Sequence, residues 1–364
     1  MTETNFKNRF RKVLIRDFEA IRIMAAIIIA FGVITAIVLT FSDDASQVSY
    51  WFLLGPLSSI RRFGGVIELA IPFILCGLSV TMMFAVDKFN LCSDGIFYIS
   101  MALGSIVALK SNLGSGLRPA AAIIVCALAG AIIALIPAVL NVKFSANIVV
   151  CALMLNYVLQ FLGRYILLYV VKNPNLTYNG SDYFDEAGTL SNIVEGTRIH
   201  SGVFVAIAAV IFIYILLNKT KLGYAIKVTG RNSNFAKYCG ITVVPTVLIS
   251  QAIGGALAGM GGAIEVMGIY KQFRIDALLG YGFDGLLIAV IGKRNPIGVL
   301  IAALALAYLR QGAALVNSYT DIPLELVQVL QGLVVVFCAA EMLLSKVKYR
   351  MIVKDASVSE GSVE

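Results

Sequence analysis

The chain has 364 residues, a formal net charge of +8, 59% hydrophobic residues and only 14% charged ones; its mean hydropathy is +0.88. Soluble globular chains carry about 45–50% apolar and about 25% charged residues, so this one cannot cover a water-facing surface. The composition excludes an ordinary soluble enzyme, a nucleic-acid-binding domain and a disordered chain, and it specifies an all-α, polytopic integral membrane protein whose solvent is mostly lipid.

A spanning helix needs about 20 predominantly apolar residues, fewer where it is broken and shielded by protein. In chain order, Ile23 to Ser42 is the first span, and it is expected to stay as a signal-anchor, because the charged lead before it is too long for a cleavable signal. Leu69 to Val86 is the second, entered through Glu68, and Gly95 to Leu109 is a short third. Pro119 to Leu140 is the fourth, Phe144 to Val171 the fifth, Ser201 to Asn218 the sixth and Ile241 to Ile264 the seventh. Ile275 to Gly292 contains Asp276 and Asp284, so an eighth span there is broken or shielded. Asn295 to Leu309 and Leu326 to Ala340 complete about ten. The chain then divides into a cytoplasmic segment 1–22, a membrane domain 23–345 and a cytoplasmic tail 346–364.

Charge orients this arrangement. With both termini inside, 19 of the 29 Lys and Arg residues fall on the cytoplasmic side, as the positive-inside rule requires. Lys219, Lys221, Lys227, Arg231 and Lys237 share an inner segment, 218–240, that has no acid. Arg61-Arg62 is the clearest exception. A long outer loop, 172–200, carries Asp182, Asp185, Glu186 and Glu195.

No catalytic or metal-binding constellation is present in the pattern. The one histidine, His200, ends the outer loop and reads as a solvated residue. Gly292-Lys293-Arg294 lacks the upstream glycine and following Ser/Thr of a phosphate-binding loop. The six cysteines lie in or beside apolar runs with no CxxC pair and read as reduced packing residues. Polar residues inside spans are costly and often mark a pathway. Glu68, Asp94, Asn156, Gln251, Glu265 and Asp284 are such residues, and for Glu68 the reading preferred over a pathway role is a snorkelling or capping residue at a span end. Asp94-Gly95 and Asp284-Gly285 each open a short apolar run, as a broken helix beside a cavity would. Asn90, Asp94, Asn156, Phe283 and Asp284 are therefore the candidate substrate-pathway residues. Gly254, Gly255, Ala258, Gly259 and Gly262 form a small-residue series for close helix packing. In the basic segment, Asn232 or Ser233 can cap a short helix through Phe235 to Cys239 that stops at Gly240.

These stretches resemble a family. Pro72 to Leu78, Phe89-Asn90-Leu91 with Asp94-Gly95, Asn147, Met154-Leu155-Asn156-Tyr157, Gly230 to Ile241, Gly255 to Gly259, Tyr281-Gly282-Phe283-Asp284-Gly285 and Asn295-Pro296-Ile297-Gly298 occur in the order found in bacterial ABC importer permeases. The branch is that of branched-chain amino acids, simple sugars and nucleosides, and the wording is most similar to the nucleoside-type permeases. The resemblance implies a type II importer-like permease fold with no catalytic residue and no cofactor of its own. It implies ATP bound by a separate ABC ATPase, a second permease subunit (identical or different), an extracytoplasmic binding lipoprotein and a place in the bacterial cytoplasmic membrane. It also implies that Gly230, Arg231, Asn232, Ala236, Tyr238 and Gly240 receive the ATPase. Asp94-Gly95-Ile96 and Asn147-Ile148 depart from the family's Glu-Gly-Gln and Asn-Glu, which leaves a simple sugar or riboflavin open as substrate beside a nucleoside. An ion-coupled transporter is the other class, and it would need more intramembrane carboxylates than this chain has.

Overall fold

A computed structural model of the protein describes residues 45–320, apart from 112 and 115. The expected first and tenth spans lie outside the described residues. Helices dominate; among the described residues the only β pairing is two isolated bridges, Lys172 with Ser181 and Asn192 with His200. The chain forms two compact units. The described part of one comprises 45–55, with helix α1 (Ala45–Leu53), and 312–320. Within it Trp51 stacks on Tyr319 with ring centroids 4.2 Å apart. The other unit, residues 56–311, holds everything discussed below.

That unit is built from α2 (Ile60–Phe84), α3 (Ser93–Lys110), α4 (Leu117–Phe144), α5 (Ile148–Tyr165), α6 (Gly202–Lys219), α7 (Lys221–Arg231), α8 (Ser233–Tyr238), α9 (Val243–Glu265), α10 (Tyr281–Ile291) and most of α11 (Pro296–Tyr319). Seven of these helices are long and apolar enough to cross a bilayer, and α10 is a shorter apolar helix. The expected second to ninth spans correspond to these eight, with shifted ends. The second begins at Ile60 rather than Leu69, because Ser59 caps it through Arg62 N–H. The fifth and seventh each end in one π-helical turn, Ile166–Val170 and Val266–Tyr270.

Burial separates the helices. The apolar window of α2 is 89% buried, whereas that of α4 is 28% buried; α2 is the central helix, and α4 turns Ile124, Leu128, Ile132 and Ile136 outward to lipid. Phe73, Leu75, Leu78 and Met82 of α2 pack with Ile96 and Phe97 of α3 in the core. The expected small-residue series on α9 does pack backbone against backbone. A Cβ on Gly255 would lie 2.2 Å from Gly130 O, and one on Gly259 would lie 2.1 Å from Cys126 O, both on α4. Among the described cysteines Cys76, Cys92 and Cys126 are buried and Cys151 is intermediate, but Cys239 is exposed and is no packing residue.

Candidate solute pathway and coupling segment

The connection between α2 and α3 brings the start of α3 beside residues well inside α5 and α9. Asn90 donates its amide to Gln251 Oε1 (2.9 Å) and Ala134 O (3.3 Å). Gln251 in turn donates to Met83 O (2.9 Å). Asn156 Oδ1 accepts Gly95 N–H (3.0 Å), and its amide donates to Leu91 O (2.9 Å). Asp94 Oδ1 accepts Gly282 N–H (3.0 Å) at the start of α10. Consecutive residues of one helix start, Asp94 and Gly95, are thus tied to two different helices. Glycine is required on both sides of this clasp. A Cβ on Gly95 would meet Asn156 Cα at 2.8 Å, and one on Gly282 would meet Asp94 N at 2.4 Å. The helices α3 and α10 meet at their N-termini, where unpaired backbone N–H groups need acceptors that lipid cannot supply.

Of the five pathway candidates, Asn90, Asp94 and Asn156 are buried and occupied with these bonds. Phe283 is 45% exposed. Asp284 pairs with Arg310, whose Nη2 lies 2.9 Å from Oδ2 and 3.1 Å from Oδ1. Tyr281 donates to Glu265 Oε1 (2.9 Å), joining α10 to the end of α9. Sequence reasoning quoted Tyr281 only as part of a motif and missed Arg310, because a local pattern does not show which residue each of them pairs with. It quoted Tyr157 within a motif without assigning it to the site; Tyr157 follows Asn156 and is 57% exposed.

Two expectations are corrected. Glu68 does not sit at a span end; it lies inside α2, 8% exposed, with Arg198 Nη1 at 3.9 Å. His200 is not solvated: it is fully buried, and its Nδ1 accepts Gly202 N–H (3.2 Å). The ring fills space that only glycine leaves, since a Cβ on Gly268 would lie 2.5 Å from Nε2. Burial, with Lys271 nearby, lowers its pKa to about 4, so the imidazole is neutral at pH 7.

The basic segment folds as two helices. Thr220 caps α7 through Gly223 N–H (3.1 Å). Asn232 ends α7 and caps α8, accepting from Asn234 and Phe235 N–H at 3.0 Å each. Gly240 follows at φ +76°, the left-handed stop expected of it. Gly230 lies against the chain after α2, where a Cβ would sit 2.0 Å from Ala85 O. Ala236 is fully buried within the chain, so it cannot itself touch a partner; Phe235 (55% exposed) and Tyr238 (91%) face outward. Beside them a groove of about 490 Å³ is lined by Lys88, Asn141, Arg231 and Lys237. Among the described residues no group of three or more His, Cys, Asp or Glu is placed to hold a metal ion.

Residues 63–339 match the family described as branched-chain amino acid transport system, permease component. The chain belongs to that family. It is 26% identical over 324 residues to the guanosine ABC transporter permease protein NupP of Bacillus subtilis, covering 86% of this chain and 90% of the relative. It is 32% identical over 283 residues to the glucose ABC transporter permease protein TsgB13 of Haloferax volcanii, covering 75% and 74%. It is 28% identical over 347 residues to the nucleoside ABC transporter permease protein NupB of Lactococcus lactis subsp. cremoris, covering 93% of each. No solved structure matches. The protein is a multi-pass membrane protein and a permease subunit of an ABC importer.

Proposed function

We propose that this permease subunit moves nucleosides into a bacterial cell. A separate ATPase binds and hydrolyses the ATP, and an extracytoplasmic binding lipoprotein delivers the solute. A second permease subunit completes the pathway, and both termini lie in the cytoplasm. The observation that carries the solute class is the surround of the clasp. Tyr157 and Phe283 each stand one residue beyond a clasp contact, Asn156 and Gly282, and both rings are exposed. Two rings near a helix break suit a planar base, which stacks on an aromatic face without strong directional bonds. In this reading Asn90, Asp94 and Asn156 hold the pathway frame, and Phe283 and Asp284 face the solute with Tyr157. Phe235 and Tyr238 of α8 are the outward groups for the ATPase, while Gly230, Arg231, Asn232, Ala236 and Gly240 shape the segment that presents them.

Uptake by the assembled importer in proteoliposomes tests this. Stacking on one ring contributes about 1–3 kcal/mol, so Tyr157→Ala with Phe283→Ala is expected to slow guanosine uptake about tenfold or more, and Tyr157→Phe is expected to retain it. A simple sugar is the second reading, favoured by the 32% identity to the glucose permease. Glucose uptake that exceeds guanosine uptake and ignores both substitutions would establish it instead.

A further inference from the structure

The outer loop is stitched to the segment that follows α9. Ser181 N–H donates to Phe273 O (2.9 Å), Phe184 N–H to Lys271 O (2.9 Å) and Leu190 N–H to Met267 O (3.3 Å). Phe273 N–H donates back to Ser181 Oγ (2.9 Å). Along this seam runs a cleft of about 370 Å³, lined by Tyr183, Asn192, Arg198, Lys271, Gln272 and Arg274 among others. Every charged residue of its lining is a cation. Among the described residues Arg198 forms one ion pair, with Glu68 at 3.9 Å, and its side chain is 72% exposed. Lys271 and Arg274 form no ion pair among the described residues. Two of the loop's four acids are turned to other tasks: Asp185 pairs with Arg118 (3.7 Å), and Asp182 accepts the Asn173 amide; no acid lines the cleft. Lys271 is fixed by its backbone, with φ +53° and its N–H donating to Val266 O (2.9 Å).

Three cations in one rigid concavity repel one another, and an anionic partner removes that repulsion while being steered to it. A nucleoside carries no such charge. The surroundings are those of a protein interface: Tyr183 is 66% exposed, and Ile193 and Val194 lie open on the same loop, an aromatic and arginine surface with apolar neighbours. We propose that this cleft is the socket for acidic side chains of the extracytoplasmic binding protein, with Arg198, Lys271 and Arg274 as its cationic contacts. The proposal rests on the reading above that such a protein serves this permease.

The test uses the full-length permease with its ATPase in lipid nanodiscs, and the binding lipoprotein encoded beside it, freed of its lipid. Lys271→Glu with Arg274→Glu is expected to slow association about tenfold or more at low salt and to flatten its salt dependence. Reversing acids on the binding protein is expected to restore it. Lys271→Gln with Arg274→Gln, a milder pair, is expected to give a smaller loss with folded yield and ATPase association unchanged. Parent-like association by both pairs overturns the proposal and leaves the transport reading intact. Slowed uptake at unchanged association overturns it in favour of a solute contact, and a response only to anionic lipid overturns it in favour of a headgroup. A parent permease that binds its ATPase but never the binding protein overturns the proposal together with the reading beneath it.

Discussion

Replacing Asn156 with alanine removes two interhelical hydrogen bonds at once, to Gly95 N–H and Leu91 O. Each such bond inside a membrane protein contributes about 0.6–2 kcal/mol. Asn156→Ala is therefore expected to lower the yield of folded complex and the unfolding temperature in detergent by several degrees. An unchanged melting curve would remove the clasp from the account. The residues of the clasp were legible in the sequence, since a carboxylate and an amide within apolar runs are conspicuous. Their partners were not. Asp94 reaches Gly282 across 188 positions and Asn156 reaches Gly95 across 61, and no local pattern encodes such a pairing. The burial of His200 is hidden for the same reason. It depends on space left by Gly268, whereas the immediate neighbours of His200 read as a loop.

Between helices, glycine decides how closely α9 and α4 approach. Gly255→Ala and Gly259→Ala would each drive a methyl group into a carbonyl of α4 that belongs to backbone and cannot rotate away. Overpacking of this kind costs about 1–3 kcal/mol or more. Each substitution is expected to depress thermal stability and folded yield, while Gly114→Ala, which meets nothing within 4 Å, is expected to leave both near the parent. Equal melting of all three would show that the seam has slack. This series was legible because small residues at fourth positions carry a packing meaning in lipid. The helix α7 was not. It is only 11 residues long, and Lys221, Lys227, Thr229 and Arg231 break up its apolar pattern. Its signal was the Thr220 cap and the inward spacing of Gly223, Ile226 and Thr229. The broken starts of α3 and α10 were legible from Asp-Gly, whereas the π turns that end the fifth and seventh spans have no such mark.

For the molecule as a whole, the proposed orientation, with the basic segment inside, can be tested with cysteine chemistry. Cys239 is exposed at the end of α8, and Asn179 is exposed in the outer loop. In intact cells carrying Cys239→Ser as background, Asn179→Cys is expected to react with a membrane-impermeant maleimide. Native Cys239 is expected to react only after the membrane is opened, and labelling of Cys239 from outside would invert the topology. One helix, α2, packs against both the basic segment and the loop. Around one end of α2 the Ser250 hydroxyl and the Gln251 side-chain amide donate to Met82 O and Met83 O, and just past that end Gly230 packs on Ala85 O. Toward its outer end Gly64 is pressed on Thr197, and Glu68 faces Arg198. Twenty-five residues of helix span about 37 Å, enough to run from one membrane face to the other. On the reading proposed above, such a helix would work as a push-rod between the basic segment and the loop. If the ATPase and the binding protein engage these two ends as proposed above, both act on the same shaft, and by linkage each then biases the other.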